Sequence, residues 1–271
     1  MIGQRCVQQQ IKSAIESKSL ARFVILVGER GSGRKTLVKE MCSWLKADYI
    51  EVEKGVEAIR NVIENSYKIA KEVVYVLDGD SMSPSAKSSL LKVTEEPPNK
   101  ARFVLTVTDL SQTLETLTSR ACIYRMDSYT SADIAQFAGT EDWRFHSFCT
   151  NKYEVDLLKK YGVNEFHDFI KLVVDNIAEV TPANSFKMEE KIAFKDTDED
   201  KYDMKVFLQA FRTECMDRVQ QFDEYPDKMM YLDWIGITTK KLSKMRTPTL
   251  NKQSLFDMWI FEIRAVNYAK N

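Results

Sequence analysis

Three short stretches carry residue types suited to phosphate chemistry. The first is Gly28-Glu29-Arg30-Gly31-Ser32-Gly33-Arg34-Lys35-Thr36. A loop that wraps phosphate needs glycines so that backbone N–H groups reach the oxygens. It also needs a helix N-terminus beneath the anion, a lysine for the outer phosphates and a hydroxyl for Mg²⁺. Counted from Gly28, the pattern GxxxxGK[ST] asks for lysine at 34 and a hydroxyl at 35; Arg34 and Lys35 stand there, with Thr36 one step late. Gly28, Gly31, Ser32 and Gly33 supply the cradle, and Arg34 can neutralise phosphate, though a guanidinium adapts less well than an ammonium to a closed loop. A slip of one residue would bring Lys35 to the phosphates and Thr36 to Mg²⁺, but it requires a later or distorted helix start. A plain glycine turn is the alternative reading.

The second stretch is acidic. Asp78 follows the apolar run Val73–Leu77, where a nucleotide hydrolase keeps the carboxylate that holds Mg²⁺. The next position suits a water-activating glutamate but is Gly79, which cannot take a proton. Asp80 could serve as base only if the backbone turns, with a side chain one methylene shorter. An Asx-type turn before Ser83 accounts for both aspartates without any nucleotide. The third stretch is Thr116-Leu117-Thr118-Ser119-Arg120-Ala121. Arg120 offers the fork that pairs with a γ-phosphate; taken alone, it serves equally as a helix cap or the partner of a surface carboxylate.

The elements that must position these residues alternate between strand and helix. The near-continuous apolar run Ala21–Gly28 reads as a strand buried on both faces of a parallel sheet. Strands are also expected over 49–52, 72–77, 102–108 and 121–126, and helices over 8–17, 35–46, 56–69 and 110–117. Ser83-Pro84 marks a further helix start, capped by the serine and stopped by Pro97-Pro98 near residue 94. This rhythm predicts an α/β fold, an open and mainly parallel sheet with helices on both faces. From Ser131 onward the periodicity is helical, with helices expected over 155–159, 165–177, 204–222, 226–232 and 254–268. Pro182-Ala183-Asn184-Ser185 reads as a hinge. Lys195–Asp203 reads as a solvated loop or helix start, and Lys240–Arg246 as a basic loop before the last helix, with DNA contact the rival reading. The last helix carries an apolar stripe of Leu255, Met258, Trp259, Ile263 and Val266.

Composition narrows the classes. The 271 residues are 44% hydrophobic and 29% charged, which suits a folded globular chain rather than a disordered one. With 39 basic against 40 acidic side chains the formal charge is −1, so the surface is no uniform magnet for nucleic acid. The five cysteines, Cys6, Cys42, Cys122, Cys149 and Cys215, form no CxxC pair, and His146 and His167 lack metal-ligand spacing. Neither a disulfide framework nor zinc is expected. No apolar run approaches the ~20 residues of a membrane span, and the polar N-terminus does not suit a signal peptide, so a cytoplasmic protein without membrane contact is expected.

The stretch Leu90-Leu91-Lys92-Val93-Thr94-Glu95-Glu96-Pro97-Pro98, the strand Phe103-Val104-Leu105-Thr106-Val107 and the segment Thr116–Ala121 together resemble the AAA+ subunits of bacterial DNA polymerase III clamp loaders, most of all the delta-prime subunit. Those carry LLKxLEEPP, FxLxT and TxxSRC segments at the same spacing. The resemblance is strong over residues 21–124 and holds only in layout beyond them. It implies an AAA+ P-loop domain over 1–128, a helical lid over 129–180 and a helical collar over 181–271. It also implies ATP or ADP with Mg²⁺ as the ligand. Arg120 matches the arginine that reaches into a neighbour's nucleotide site, and Thr108 falls near the polar residue that senses phosphate. The implied partners are other AAA+ clamp-loader subunits and, through them, the sliding clamp and primer-template DNA. The chain departs from the pattern at the loop lysine and hydroxyl, the catalytic glutamate and the lid arginine, the last having no counterpart near Gly162–His167. The four-cysteine zinc module common in delta-prime subunits is missing as well. Such a set suits a subunit that completes a partner's site while doing little chemistry itself. A self-sufficient ATPase using the slipped loop and a purely structural interaction module are the alternatives.

Overall fold

The computed structural model describes residues 1–177, 188–195, 198, 200–221, 225–245 and 251–268. The chain divides into two compact units, 1–133 and 134–271. The hinge expected at Pro182–Ser185 and the lid–collar boundary at 180/181 lie outside the described residues.

In the first unit the order is α1 (Arg5–Glu16), β1 (Phe23–Val27), α2 (Arg34–Leu45), β2 (Asp48–Glu51), α3 (Val56–Ser66), β3 (Val73–Asp78), α4 (Pro84–Ser89), α5 (Leu91–Glu95), β4 (Ala101–Val107), α6 (Glu115–Thr118) and β5 (Cys122–Arg125). The five strands form one parallel sheet in the order β2-β3-β4-β1-β5. Strand side chains alternate between faces, and both faces are covered. Val24, Leu26, Val74, Val76 and Val104 pack under α1 and α2 with Ile11, Leu37 and Met41. On the other face Phe23, Ile25, Tyr75, Leu77, Phe103 and Leu105 pack against Ile59, Ile63, Ala86, Leu90 and Leu117 of α3, α4 and α6 and the residue between α4 and α5. Each such side chain contributes about 1.5–3 kcal/mol on leaving water.

Two expected helices are broken. The helix expected from Pro84 to Thr94 bends at Leu90 into α4 and α5. Ser88 and Ser89 donate their hydroxyls to the carbonyls of Pro84 and Ser85, four residues back, and such back-bonding bends helices. The helix expected over 110–117 is a 3₁₀ turn, Leu110–Gln112, followed by α6. The Asp109 carboxylate accepts from the Ser111 N–H and caps the first piece.

Among its described residues the second unit is almost wholly helical: α7 (Ser131–Ala138), which begins within the first unit, α8 (Trp143–Phe148), α9 (Lys152–Tyr161), α10 (Val163–Asn176), α11 (Met204–Gln221), α12 (Tyr225–Lys244) and α13 (Lys252–Tyr268). A two-residue pairing of β6 (Ile192–Ala193) with β7 (Tyr202–Asp203) precedes α11. The core is aromatic, with Phe207, Phe211, Trp234, Phe256 and Trp259 fully buried. Lys240–Lys244 is the end of α12 rather than a loop; Arg246 lies outside the described residues. The stripe on α13 holds at Leu255, Trp259 and Ile263, but Met258 is exposed, as is its neighbour Phe261. No helix among the described residues is long and apolar enough to cross a membrane.

Candidate functional site

Parallel pairing brings the C-terminal ends of β1, β3 and β4 to one edge of the sheet. Val27 lies beside Val107 and Asp78 beside Thr106. Three connections therefore open side by side: the glycine loop after Val27, the turn after Asp78 and the segment starting at Thr108. Crevices outside the carboxyl ends of parallel strands are where such sheets hold ligands.

The loop after β1 turns through its glycines into α2. Gly31 and Gly33 take φ of +85° and +87°, left-handed values that are strained for residues with a side chain. Gly33 caps α2, whose first residue is Arg34. The helix thus starts without the delay or distortion that the slipped register requires. Ser32 is buried and its Oγ has no hydrogen-bond partner, while the Tyr129 hydroxyl donates to the Ser32 carbonyl at 2.7 Å. Burial raises the Tyr129 phenol above its ordinary range.

The side chains around the cradle are committed elsewhere. The Arg34 guanidinium donates to Asp80 Oδ2 at 3.2 Å. Asp80 Oδ1 accepts from the Thr108 N–H at 2.8 Å and from its hydroxyl at 3.0 Å. Lys35 turns to Glu51 at the end of β2, with Nζ 2.7 Å from Oε2. Donation from Lys35 and from the Tyr49 hydroxyl holds the Glu51 carboxyl below the usual carboxylate range. Thr36 is exposed on α2. Asp78 is half-buried; its carbonyl accepts from Ser81 Oγ at 3.0 Å. Gly79 leaves no room for a glutamate without movement, since a Cβ there would lie 2.6 Å from Val107 Cγ1.

Arg120 stands apart from this cluster, just after α6. It donates from one terminal nitrogen to the Thr116 carbonyl at 3.0 Å and sets the other 3.4 Å from Glu95 Oε1 at the end of α5. Its side chain is 41% exposed, so the guanidinium is at the surface of its unit. The structure therefore joins Arg34, Asp80 and Thr108, seats Gly28 to Gly33 beside them, and leaves Lys35, Thr36 and Arg120 outside. Glu51 and Glu95, which hold Lys35 and Arg120, were not among the expected site residues. Glu95 lies within the segment Leu90–Pro98, the one local signal that could have singled it out.

The loop keeps two left-handed glycines and a helix start, but its Ser32 N–H is donated to the Glu29 carbonyl and its side chains do not fit a bound Mg²⁺-nucleotide. The first cation is already paired, the second points away, and the hydroxyl one position later is in solvent.

A five-stranded parallel sheet in this order, with a glycine loop after its first strand and an acidic end to its third, is an α/β fold of the AAA+ type, followed by a helical C-terminal part. The fold alone is shared with a gamma subunit-related protein of DNA polymerase III from Thermotoga maritima, with a TM-score of 0.50, 15% identity and coverage of 96% of this chain and 99% of that one. Residues 44–130 match the family model described as DNA polymerase III, delta subunit. DNA polymerase III subunit gamma of Buchnera aphidicola is 24% identical over 207 residues, covering 65% of this chain and 53% of that protein. The gamma/tau subunit of Mycoplasma pneumoniae is 27% identical over 166 residues, covering 50% and 24%. The replication factor C small subunit of Haloarcula marismortui is 22% identical over 160 residues, covering 52% and 49%. The chain spans about half, or less, of the length of these relatives. The likeness is to subunits of DNA polymerase III and replication factor C, over part of the chain.

Proposed function

We propose that the chain is a clamp-loader subunit of the delta-prime kind, which lends Arg120 to a nucleotide held by a neighbouring AAA+ subunit and does little hydrolysis of its own. The observation that carries this reading is the state of Arg120. One carbonyl and one exposed carboxylate hold it, and an exposed ion pair of this sort is worth about 0–1 kcal/mol. Exchanging it for a γ-phosphate gains a charge-assisted, forked contact and offsets charge that moves during phosphoryl transfer. The reading makes other clamp-loader subunits the direct partners, with the sliding clamp and primer-template DNA reached through them, and the cytoplasm the place of work. Relatives named as gamma subunits and replication factor C small subunits support it.

The idle half of the proposal is supported by the arginine in the lysine position, the Lys35–Glu51 pair and the packed Gly79. A self-sufficient ATPase would need Lys35 and Thr36 turned into the cradle and α2 started later, and no contact among the described residues favours that. Changing Arg120 to Ala in the assembled complex should lower its DNA-stimulated ATPase at least tenfold. The Arg120→Lys variant should recover little, because an ammonium lacks the fork. Unchanged turnover in both variants, with the complex intact, would point instead to a purely structural module.

A further inference from the structure

The proposed idle pocket leaves open what keeps it idle, and the inference here rests on that reading. We propose that Asp80 is a built-in stand-in for phosphate: its carboxylate fills the anion position between Arg34 and Thr108 and excludes a polyphosphate from this chain's own loop. Both carboxylate oxygens are engaged. Oδ2 takes the guanidinium of the loop, and Oδ1 takes the N–H and hydroxyl at the end of β4. These three donors come from the two sides of the crevice that an oxyanion in the cradle would use.

The carboxylate is held there by its own turn. Asp80 sits in the 3₁₀ turn Gly79–Ser81. Gly79 is packed so tightly that a Cβ would meet Val107 and Leu105, and Ser81 Oγ ties back to the Asp78 carbonyl. Meanwhile the cradle keeps its glycine geometry and an unpartnered, buried Ser32 Oγ. The loop thus retains its shape while its cation is taken. An incoming triphosphate meets a fixed negative charge where it should meet a positive one, and two like charges cannot share one cation at this range without cost.

The test is titration of the full chain with Mg-ATP and, separately, with inorganic tripolyphosphate. The Asp80→Asn variant keeps size and polarity and removes the charge. It should bind both probes at least tenfold more tightly than the unaltered chain, and adding Arg34→Ala should cancel the gain. A folded Asp80→Asn chain, by circular dichroism and a cooperative thermal transition, that binds no more tightly overturns the proposal. Asp80→Ser replaces it if the asparagine variant does not fold. Independently, in the unaltered chain, tripolyphosphate at saturating concentration should shift the Thr108 amide resonance together with those of Gly31 and Gly33, since Asp80 must leave. Movement of the glycine amides with Thr108 unchanged also overturns it. These readouts use the chain alone, so their failure leaves the role of Arg120 standing, and a failure at Arg120 leaves them untouched.

Discussion

Val107 Cγ1 would lie 2.6 Å and Leu105 Cδ1 3.0 Å from a Cβ placed at residue 79. The glycine at 79 is therefore set by packing against β4, and a glutamate placed there does not fit without movement. Gly79→Glu should lower stability by about 1–3 kcal/mol through overpacking, read as a lower urea midpoint, with no gain in ATP turnover by the chain. A variant with an unchanged midpoint and new turnover would contradict this. Another residue-scale prediction concerns Asp142, which caps α8 by accepting from the Arg144 N–H at 3.0 Å and also takes its guanidinium. That donation holds the Asp142 carboxyl below the usual carboxylate range. The folded pKa is thus below the unfolded one. The resulting stabilisation is complete above about pH 4 and is lost as pH falls through the lowered value. Asp142→Asn keeps a cap-forming side chain but not the charge, so its urea midpoint should fall less steeply than the unaltered chain's below about pH 4. Equal slopes would remove Asp142 from the acid response. At this scale the candidate residues were legible but their partners were not. Arg34 and Asp80 are 46 positions apart, and only the order of strands in the folded sheet brings them together.

Among the elements, the buried strands were the easiest to read, because runs such as Phe23–Val27 are apolar at every position and fit only between two covered faces. The second unit was harder. The helix expected to end near Leu232 runs on as α12 to Lys244 through Ile235, Gly236, Ile237, Thr238 and Thr239, residues of poor helix propensity. Packing overrides that preference. Trp234 Nε1 donates to the Ile263 carbonyl at 3.2 Å, Trp259 Nε1 to Thr238 Oγ1 at 2.9 Å, and the buried Lys241 reaches Glu262 Oε1 at 2.6 Å. Changing Thr238 to Val preserves shape and strands the indole N–H in the core, so it should cost about 1–3 kcal/mol. A urea midpoint equal to that of the unaltered chain would show that α12 and α13 do not depend on this bond. The short helix α8 and the β6–β7 pair were missed because six and two residues carry too little periodicity to register. In the first unit, Ser83 was read correctly as a cap. It accepts from the Ala86 N–H at 3.2 Å, and Ser83→Ala should lower the urea midpoint by the equivalent of about 1 kcal/mol, while no loss would make the proline alone sufficient to start α4.

For the molecule as a whole, the AAA+ sheet unit and the helical unit each have their own core. The resemblance to clamp-loader subunits rests on segments whose spacing is fixed by that sheet, the end of α5, β4 and the turn before β5, all within the residues that match the family model. What the sequence could not convey is the state of the two arginines. Arg34 is bound inward to a carboxylate of its own chain, and Arg120 is left at the surface with a weak hold on Glu95. The proposed division of labour follows from that difference. Its most direct test is a structure of the assembled complex with an ATP analogue in the neighbouring subunit. The account predicts that Arg120 has left Glu95 and lies within on the order of 3 Å of a γ-phosphate oxygen. Arg120 still paired with Glu95 while the neighbour's site is closed around nucleotide would contradict it.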